Sequence, residues 1–356
     1  MKPVCLRHLR GMQPEPPSAR RGAARAPLAL ALAVLAVTLP ACSSASRPAL
    51  SKRLLIAWPP SASPLPVVAA ARSGPAPMIV QVENSQFARP QSGLSDATIV
   101  YEYVAEGGVS RFSAIFAQPP PVRIGPVRSA RLATIQLLGL YGGVLVYSGA
   151  SHYIFGQLVA SHRPSFNEGS AAGNLFRVGS RSPPHNLYTD GNHLLNLRGR
   201  SRAAPISFAY FAPAAPPATG ARPAVGFTVP VSTSEAPHWR WDAQLRGWTR
   251  SEPDTGLCTD ANSGAPLVAT TVIVQQVHIA ISPNVVDVNG VHGVSHTLTG
   301  TGAAQVFVGG NEYDASWSQP ASGPPQFTLA GGQSAPIAPG LVWIELVATG
   351  SPARLG

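Results

Sequence analysis

Residues 89–131 read RPQSGLSDATIVYEYVAEGGVSRFSAIFAQPPPVRIGPVRSAR. Apolar and polar side chains alternate over residues 97–104 and again over residues 111–117, and this period of two predicts two β-strands. The segment Glu106-Gly107-Gly108-Val109 between them is typical of a hairpin connection, because glycine adopts the backbone angles that tight turns require. The stretch therefore predicts an antiparallel pair of strands near the start of the folded part of the chain.

The segments after this hairpin predict helices beside further strands. Apolar residues recur at helical spacing over Ser129–Tyr141, and the two glycines that follow are typical of a helix end. Val144–Tyr147 predicts a buried strand and Tyr153–Leu158 the start of a second helix, whereas the Gly-, Asn-, Ser- and Pro-rich chain from there to Ala203 is interpreted as loop. We therefore expect residues 76–212 to form a mixed α/β N-terminal domain.

The pattern changes to all-β in the C-terminal part. Residues 213–223 (PAAPPATGARP) are typical of a linker, because proline and glycine interrupt both helices and strands. Beyond them, Val268–Ile281 is a long β-branched run and Leu341–Val347 a shorter one, with Gly/Pro turns between the remaining strands. We expect a smaller all-β domain of about six strands at residues 224–350, which makes the whole protein α+β.

The first 42 residues are typical of an exported lipoprotein. Basic residues precede a short apolar run at residues 26–41, and Leu39-Pro40-Ala41-Cys42 resembles the bacterial lipobox. These features predict a signal peptide at residues 1–41 and a lipid on Cys42 that anchors the chain to the extracytoplasmic face of the cell membrane, followed by a disordered tether at residues 42–75. An ordinary secretory signal with an incidental cysteine and an uncleaved membrane anchor are the alternatives.

Charge and cysteine content exclude several classes of function. Without residues 1–41 the formal net charge falls from +10 to +5, which is too weak for a nucleic-acid-binding surface. Cys258 is then the one cysteine besides the predicted lipidation site, so no intramolecular disulfide is expected. The chain has neither a Cys/His cluster with zinc spacing nor a phosphate-binding loop or dinucleotide motif, and we expect neither a metal nor a cofactor.

Several motifs in the N-terminal half are long and specific in their choice of residues. They are Val82-Glu83-Asn84, Ala88–Leu94, Tyr101-Glu102, Glu106-Gly107-Gly108 with Arg111, Ile124–Arg131 and Pro184–Tyr188. These motifs resemble the DUF3048 family of bacterial lipoproteins of unknown function, and a looser pattern from Trp239 to Trp343 resembles the β-rich C-terminal part of that family. Thr271 departs from the asparagine that the family pattern has there. The resemblance implies a two-domain envelope lipoprotein and no established activity.

The arginines of the opening stretch predict a site for an anion. A guanidinium group presents a planar fork of donors that suits carboxylate or phosphate. Arg128 and Arg131 lie three residues apart at the predicted start of a helix, whose free N–H groups attract negative charge. The candidate ligand-binding residues are Asn84, Arg89, Arg111, Arg128, Arg131, His185 and Asn186. The alternative is that Glu102 and Glu106 neutralise Arg111 and Arg128 in structural ion pairs.

Glu102 and Glu106 also support a different hypothesis. If both lie on one strand, residues four apart share a face, and two carboxylates in one cleft are able to act as acid and base in a hydrolase. His185 is the third catalytic candidate, as a base or ligand-binding group, and its alternative is a loop histidine bonded to the backbone. The tryptophans are interpreted as packing within the sheet, with a sugar-binding face as the alternative.

The sequence therefore predicts a lipid-anchored protein of the cell envelope that binds an anionic cell-wall polymer or an envelope protein partner through its arginines. An envelope hydrolase that uses Glu102 and Glu106, and a structural subunit of an envelope complex, are the alternatives. No nucleic-acid partner is expected.

Overall fold

The structure is a computed structural model that describes residues 74–205, 211, 213–217, 220–286, 290–320 and 323–356. The predicted signal peptide, Cys42 and all but the last two residues of the predicted tether lie outside the described residues, as do two residues of the predicted linker.

Helices and strands follow one another along the described part of the chain. In the N-terminal half they are β1 (Met78–Glu83), β2 (Ile99–Val104), β3 (Ser110–Phe116), β4 (Arg123–Ile124), α1 (Leu132–Tyr141), β5 (Val144–Val146), α2 (His152–Ala160), β6 (Ser165–Phe166), β7 (Phe176–Arg177), β8 (Leu187–Asp190) and α3 (Gly191–Ser201). In the C-terminal half they are β9 (Arg222–Pro223), β10 (Gly226–Thr228), β11 (His238–Asp242), β12 (Gly247–Glu252), β13 (Gly256–Leu257), β14 (Val268–Ala269), β15 (Thr271–Val277), β16 (Ile279–Val285), β17 (His292–His296), β18 (Thr301–Val308), β19 (Asn311–Ser318), β20 (Gln326–Leu329), β21 (Val342–Ala348) and β22 (Arg354–Leu355).

An eleven-stranded sheet forms the centre of the molecule, in the order β20-β19-β18-β15-β21-β2-β3-β1-β5-β6, with β9 paired to β19. β2 and β3 form the predicted antiparallel hairpin, in which Tyr103 lies opposite Arg111. β21 lies parallel between β2 and β15, so that Val342 is opposite both Ile99 and Thr271. One sheet therefore passes through both the N-terminal and the C-terminal regions.

The predicted α+β class is confirmed. α1, α2 and α3 all lie in the N-terminal region, and the described C-terminal residues form strands and their connections. Six of those strands form a second sheet, in the order β13-β12-β11-β10-β22 with β14 paired to β12. The proposed domain boundaries stay a prediction.

Helices α1 and α2 cover one face of the eleven-stranded sheet. Leu137 and Leu138 of α1 and Ile154 of α2 belong to the same buried cluster as Ile79 and Ile115 of the sheet. Complete burial of a large aliphatic side chain stabilises the folded state by about 1.5–3 kcal/mol, so this layer contributes strongly to the core.

The second sheet covers the opposite face with aromatic side chains. Phe227 stacks on Phe307 with ring centroids 3.6 Å apart, and Trp239 meets Trp343 edge-on at 5.4 Å. Trp239, Trp248 and Trp343 are all 0 % exposed. The interpretation of these three tryptophans as sheet packing is therefore confirmed.

Helix α1 begins later than the spacing of apolar residues predicts. It starts at Leu132 and not at Ser129, because the preceding segment is extended and bonds to the edge of β1. The amide of Glu83 donates to the carbonyl oxygen of Pro126 at 3.0 Å, and the amide of Arg128 donates to that of Gln81 at 2.8 Å. The prediction that Arg128 lies in the first helical turn is wrong for this reason.

Helix α3 lies where a loop is expected. Asp190 caps its start by accepting a hydrogen bond from the amide of His193 at 2.9 Å, and Leu194 and Leu197 are its buried leucines. Polar residues and glycines occupy most other positions of the helix, so its apolar period is too sparse to detect. None of the helices in the described part of the chain has the length and apolar character needed to span a bilayer.

Candidate functional site

Two strands and the start of a helix bring three arginines together. Arg111 on β3 lies opposite Glu83 on β1 and opposite Tyr103 on β2, and side chains of directly opposed residues share a face of the sheet. α1 covers that face, and Arg131 is its N-cap residue. Arg128, in the extended segment along β1, completes the arginine cluster, which we define as Arg111, Arg128 and Arg131.

Arg111 is buried without an ion pair. Nη1 donates to the carbonyl oxygen of Ser110 at 2.9 Å, whereas Nε has no hydrogen-bond partner. None of the ion pairs among the described residues includes Arg111. Burial, and then the positive charge of Arg131, lower the pKa of Arg111 to about 10. A buried donor without a partner is unfavourable, and Glu83 and Glu106 offset the charge of Arg111 only through attraction at longer range.

Two carboxylates beside the cluster pair with its other members. Glu83 Oε1 lies 3.3 Å from Arg128 Nε, and Glu106 accepts a hydrogen bond from Arg131 Nε. Neither carboxylate forms an ion pair with Arg111, so three arginines face two carboxylates and one positive charge is left over. The N-terminus of α1 adds the positive end of a helix dipole beside Arg131.

His185 is held by the same carboxylate as Arg128. Its Nδ1 lies 3.0 Å from Oε2 of Glu83, which is itself 1 % exposed. The imidazole ring stands beside that of Phe87, with the centroids 5.5 Å apart. The interpretation of His185 as a loop histidine whose ring is bonded to the backbone is wrong, because the ring contacts a buried carboxylate. An imidazole that donates from Nδ1 to this carboxylate presents Nε2 on the other side of the ring.

Glu102 lies on the opposite face of the sheet, in what we call the interior ion network. Its carboxylate accepts hydrogen bonds from Arg250 Nη2 at 2.7 and 2.9 Å and from Ser110 Oγ at 2.7 Å. Arg250 Nη1 donates to Glu252 Oε1 at 2.6 Å. Glu102 is 0 % exposed, so its carboxylate is closed to a substrate.

Glu102 and Glu106 therefore do not form the expected acid–base pair. β2 ends at Val104, which places Glu106 in the turn after the strand and not on a shared strand face. Glu102 contacts Arg250 beneath the second sheet, whereas Glu106 contacts Arg131 at the start of α1. The expected ion pairs of these two glutamates with Arg111 and Arg128 are not found either. The sheet separates Glu102 from the arginine cluster, and Glu106 pairs with Arg131 and attracts Arg111 without contacting it.

Arg89 and Asn84 belong to the interior ion network. Arg89 Nη2 lies 3.1 Å from Glu252 Oε1 and 3.2 Å from Glu235 Oε2, and its Nη1 lies 2.5 Å from Asp254 Oδ1. Asn84 Nδ2 donates to Glu252 Oε1 at 3.1 Å. Burial, and then the negative charge of Glu252, raise the pKa of Glu235 to about 7. The network therefore joins strand ends of the N-terminal region to β12 and its neighbours.

Aromatic rings enclose the centre of this network. The Arg250 guanidinium lies 5.3 Å from the ring centroid of Trp343 and 5.4 Å from that of Phe112. Trp239 Nε1 donates to Glu345 Oε1 at 2.9 Å, and burial, followed by the charge of Glu102, raises the pKa of Glu345 well above its ordinary value. Arg250 is not among the site residues predicted from the sequence. Its signal there is its position two residues after a core tryptophan on the same strand, which places both side chains on one face.

Asn186 is bonded to groups other than the arginine cluster, whereas Glu83 contacts the cluster without having been predicted. The Oδ1 of Asn186 accepts a hydrogen bond from Arg177 Nη1 at 2.7 Å, and its Nδ2 donates to the carbonyl oxygen of Val178 at 3.2 Å. Glu83 is absent from the predicted site residues although it holds both His185 and Arg128. Its signal in the sequence is a charged residue at the end of a largely apolar strand.

An apolar groove of about 620 Å³ opens beside Glu106. Val104, Val231, Ile279 and Ile281 are among the residues that line it, and Ile281 is 71 % exposed. Exposed apolar surface of this kind suits contact with another protein.

Comparison with known families decides the relationship of the chain. Residues 63–203 match the model described as "Protein of unknown function (DUF3048) N-terminal domain", and residues 227–344 match the model of the corresponding C-terminal domain. The chain belongs to the DUF3048 family. The resemblance seen in its sequence motifs is thereby confirmed.

A curated relative and a solved structure extend this result. The chain is 29 % identical over 284 residues to the protein named "Putative lipoprotein YerB" of Bacillus subtilis (strain 168). The aligned region covers 76 % of this chain and 81 % of that protein. The crystal structure of YerB from Bacillus subtilis matches with a TM-score of 0.66 and 27 % identity, over 77 % of this chain and 91 % of the other. DUF3048 is a family of unknown function, so neither match supplies an activity.

Proposed function

We propose that this member of the DUF3048 family is a lipid-anchored protein of the cell envelope that binds an anionic envelope ligand through the arginine cluster. The ligand class is a phosphate- or carboxylate-bearing cell-wall polymer, because a guanidinium fork matches these groups. The name of the Bacillus subtilis relative includes the word lipoprotein, which supports an anchor on Cys42 of this chain.

One observation carries the binding proposal. Arg111 is 8 % exposed, has an unpartnered Nε and takes part in no ion pair among the described residues. Glu83 and Glu106 attract Arg111 without contacting it. A buried cation that lacks a contacting anion is unfavourable, so the site is suited to bind an anion there. Arg128 and Arg131 add two further forks around it, and Arg128 is the more exposed of the two, with 26 % of its side-chain surface accessible.

Several of the predicted ligand-binding residues are left out of this proposal for a physical reason. Arg89 and Asn84 have internal acceptors or donors in the interior ion network, and Asn186 bonds to Arg177 and the backbone. The proposal therefore rests on Arg111, Arg128 and Arg131, with His185 beside them. An acid–base role for Glu102 is disfavoured because that carboxylate is buried against Arg250.

The test uses the full chain with purified cell-wall material and with inorganic sulfate as a small probe. Arg111→Met should reduce binding of both by roughly tenfold or more, since a charge-assisted contact is worth about 1.5–3 kcal/mol. Because Arg111 lacks an ion-pair partner, the same variant should be as stable as the wild type or more stable, which separates lost binding from lost folding.

The matched control is Arg240→Met, which removes an exposed arginine on β11. This variant should bind as the wild type does. Undiminished binding by a folded Arg111→Met protein would overturn the proposal. The anchor is tested separately: Cys42→Ala should move the protein from the membrane fraction to the soluble fraction, and an unchanged distribution would contradict lipidation.

A protein partner is the second candidate, favoured by the apolar groove beside Glu106. Ile281→Asp places a charge on its most exposed apolar residue and should weaken capture of such a partner from an envelope extract, while sulfate binding stays unchanged. Equal capture by wild type and Ile281→Asp would remove the groove from the proposal.

A further inference from the structure

We infer that His185 links anion binding at the arginine cluster to the uptake of a proton, so that the site holds its ligand more tightly when the imidazole is charged. This inference rests on the proposed function and adds the control of the same site by pH.

The carboxylate of Glu83 ties the imidazole to the arginine cluster. Its Oε1 lies 3.3 Å from Arg128 Nε, and its Oε2 lies 3.0 Å from His185 Nδ1. Ser85 Oγ donates to Oε1 at 2.9 Å, which holds the carboxylate in place. Arg128 and His185 therefore each contact one oxygen of the same buried carboxylate. An anion that reaches the guanidinium of Arg128 also lies in the electric field of the imidazole.

The charge balance of the site depends on this imidazole. Three arginines and two glutamates leave one net positive charge when His185 is neutral, and protonation raises it to two. In the neutral state the carboxylate of Glu83 offsets the charge of Arg128. In the protonated state the same carboxylate is shared between two cations, and Arg128 attracts an external anion more strongly.

Glu83 is the charged group that contacts His185 directly. Glu83 in turn interacts with Arg128, Arg111 and Tyr188, and Arg181 and Arg123 act on Tyr188. Burial raises the pKa of Tyr188, so its hydroxyl stays neutral. The His185 side chain keeps 22 % of its surface accessible, and no hydrogen bond to Nε2 occurs among the described residues, so a proton on Nε2 is open to water.

Linkage sets the size of the effect. Imidazole is the side chain that ordinarily changes charge between about pH 5 and 8. If the protonated site binds an anion about tenfold more tightly, the bound anion must favour protonation by the same factor, because the coupling is reciprocal. A second unit charge next to the ligand at a partly exposed site is consistent with a factor of roughly ten.

Sulfate is the probe, because its own charge does not change across this pH range. Its affinity for the full chain in detergent is measured by calorimetry at about pH 5.5 and about pH 8, and should be roughly tenfold weaker at the higher pH. Titrations at an intermediate pH in two buffers with different ionisation heats should show net proton uptake by the wild type.

Two variants identify the group that takes up the proton. His185→Asn keeps a neutral donor near Glu83 and should show the same sulfate affinity at both pH values and no proton uptake. Glu235→Gln removes the group on the other face of the sheet whose pKa of about 7 makes it the competing candidate, and it should keep the behaviour of the wild type.

The outcomes separate this inference from the proposed function. Sulfate binding that is equal at both pH values, with no proton uptake by the wild type, would overturn the inference and leave the proposed function standing. The same pH dependence in His185→Asn and wild type would also overturn it. If neither sulfate nor cell-wall material binds at either pH, the proposed function fails and the inference fails with it.

Discussion

Replacing Arg250 with methionine removes the central cation of the interior ion network. In the folded protein Arg250 contacts Glu102 at 2.7 Å and Glu252 at 2.6 Å, and none of the three side chains is more than 1 % exposed. Methionine is flexible and apolar and fits among the surrounding aromatic rings, so the main loss is electrostatic and not a cavity.

The expected loss follows from the two kinds of contact that disappear. Removing one partner of a buried ion pair costs about 3–5 kcal/mol, because the other charge is left without compensation. Loss of the guanidinium from the faces of Trp343 and Phe112 adds about 1 kcal/mol. We expect the free energy of unfolding to fall by roughly 4–6 kcal/mol, with Glu102 most affected, because Glu252 still has Arg89 at 3.1 Å.

Acidic pH should reduce this loss. In the wild type, burial opposes the ionisation of Glu252, but Arg250 and the other cations outweigh it, and the pKa of Glu252 is lowered. The stabilising contribution of Glu252 is therefore present above the ordinary pKa of a carboxyl group and is lost as the pH falls. In Arg250→Met the carboxylates lack this cation and take up protons more readily. The gap in unfolding free energy between variant and wild type should therefore be smaller at about pH 5 than at about pH 8.

Urea unfolding of the full chain, followed by tryptophan fluorescence, measures the loss. Trp239 and Trp343 lie against Arg250 and report on this region directly. Arg240→Met on the neighbouring strand is the control and should change the unfolding free energy by less than about 0.5 kcal/mol. The loss in Arg250→Lys should lie between those of Arg240→Met and Arg250→Met, because lysine keeps the positive charge but lacks the planar set of donors of a guanidinium. A loss below about 1 kcal/mol in Arg250→Met would refute the reasoning, since it would mean that water reaches the network.

Three further changes test other parts of the structure. Burial and then Glu102 raise the pKa of Glu345, so its contribution to stability is present at acidic pH and is lost as the pH rises. Glu345→Gln should therefore increase the free energy of unfolding measured in urea at about pH 8, and no gain would contradict the assignment. Burial lowers the pKa of His296 to about 4, so the free energy of unfolding falls by about 3 kcal/mol as the pH falls from the ordinary imidazole value towards 4. His296→Phe should reduce this dependence of stability on pH. An unchanged dependence would implicate another group. Gly125 has a φ of 145°, and a Cβ there would lie 2.9 Å from Tyr188 Cδ1. Gly125→Ala should therefore destabilise the protein by about 1–3 kcal/mol, which a thermal melt would measure. An unchanged Tm would show that the turn relaxes to accept the methyl group.

Local patterns were sufficient for elements whose residues contact their sequence neighbours. The alternation in β2 and β3, and the glycines between them, predict a hairpin that forms within 18 residues, and the structure contains it. α3 was missed because two buried leucines are too few to establish a helical period. α1 was extended too far towards the N-terminus because the bonds from residues 126–128 to β1 are long-range, and no local pattern reveals them.

The arginines show the same limit at the level of the site. Their number and their concentration near the hairpin can be read from the sequence, and so can their membership in the family motifs. Which of them are neutralised depends on partners far along the chain. Glu102 meets Arg250 across 148 residues, and Glu83 meets His185 across 102 residues.

By itself, therefore, the sequence determined the α+β class, the first hairpin, the family and the supply of cations. Only the tertiary structure decided that Arg89 is neutralised in the interior ion network, while Arg111 is buried with no ion pair among the described residues. The physical reason is the sheet itself. Alternate residues of β1, β2 and β3 point to opposite faces, and the second sheet packs over one of those faces, where Trp239 contacts Trp343 of β21. Which face each arginine reaches is a matter of strand register and long-range pairing, and no local period encodes either.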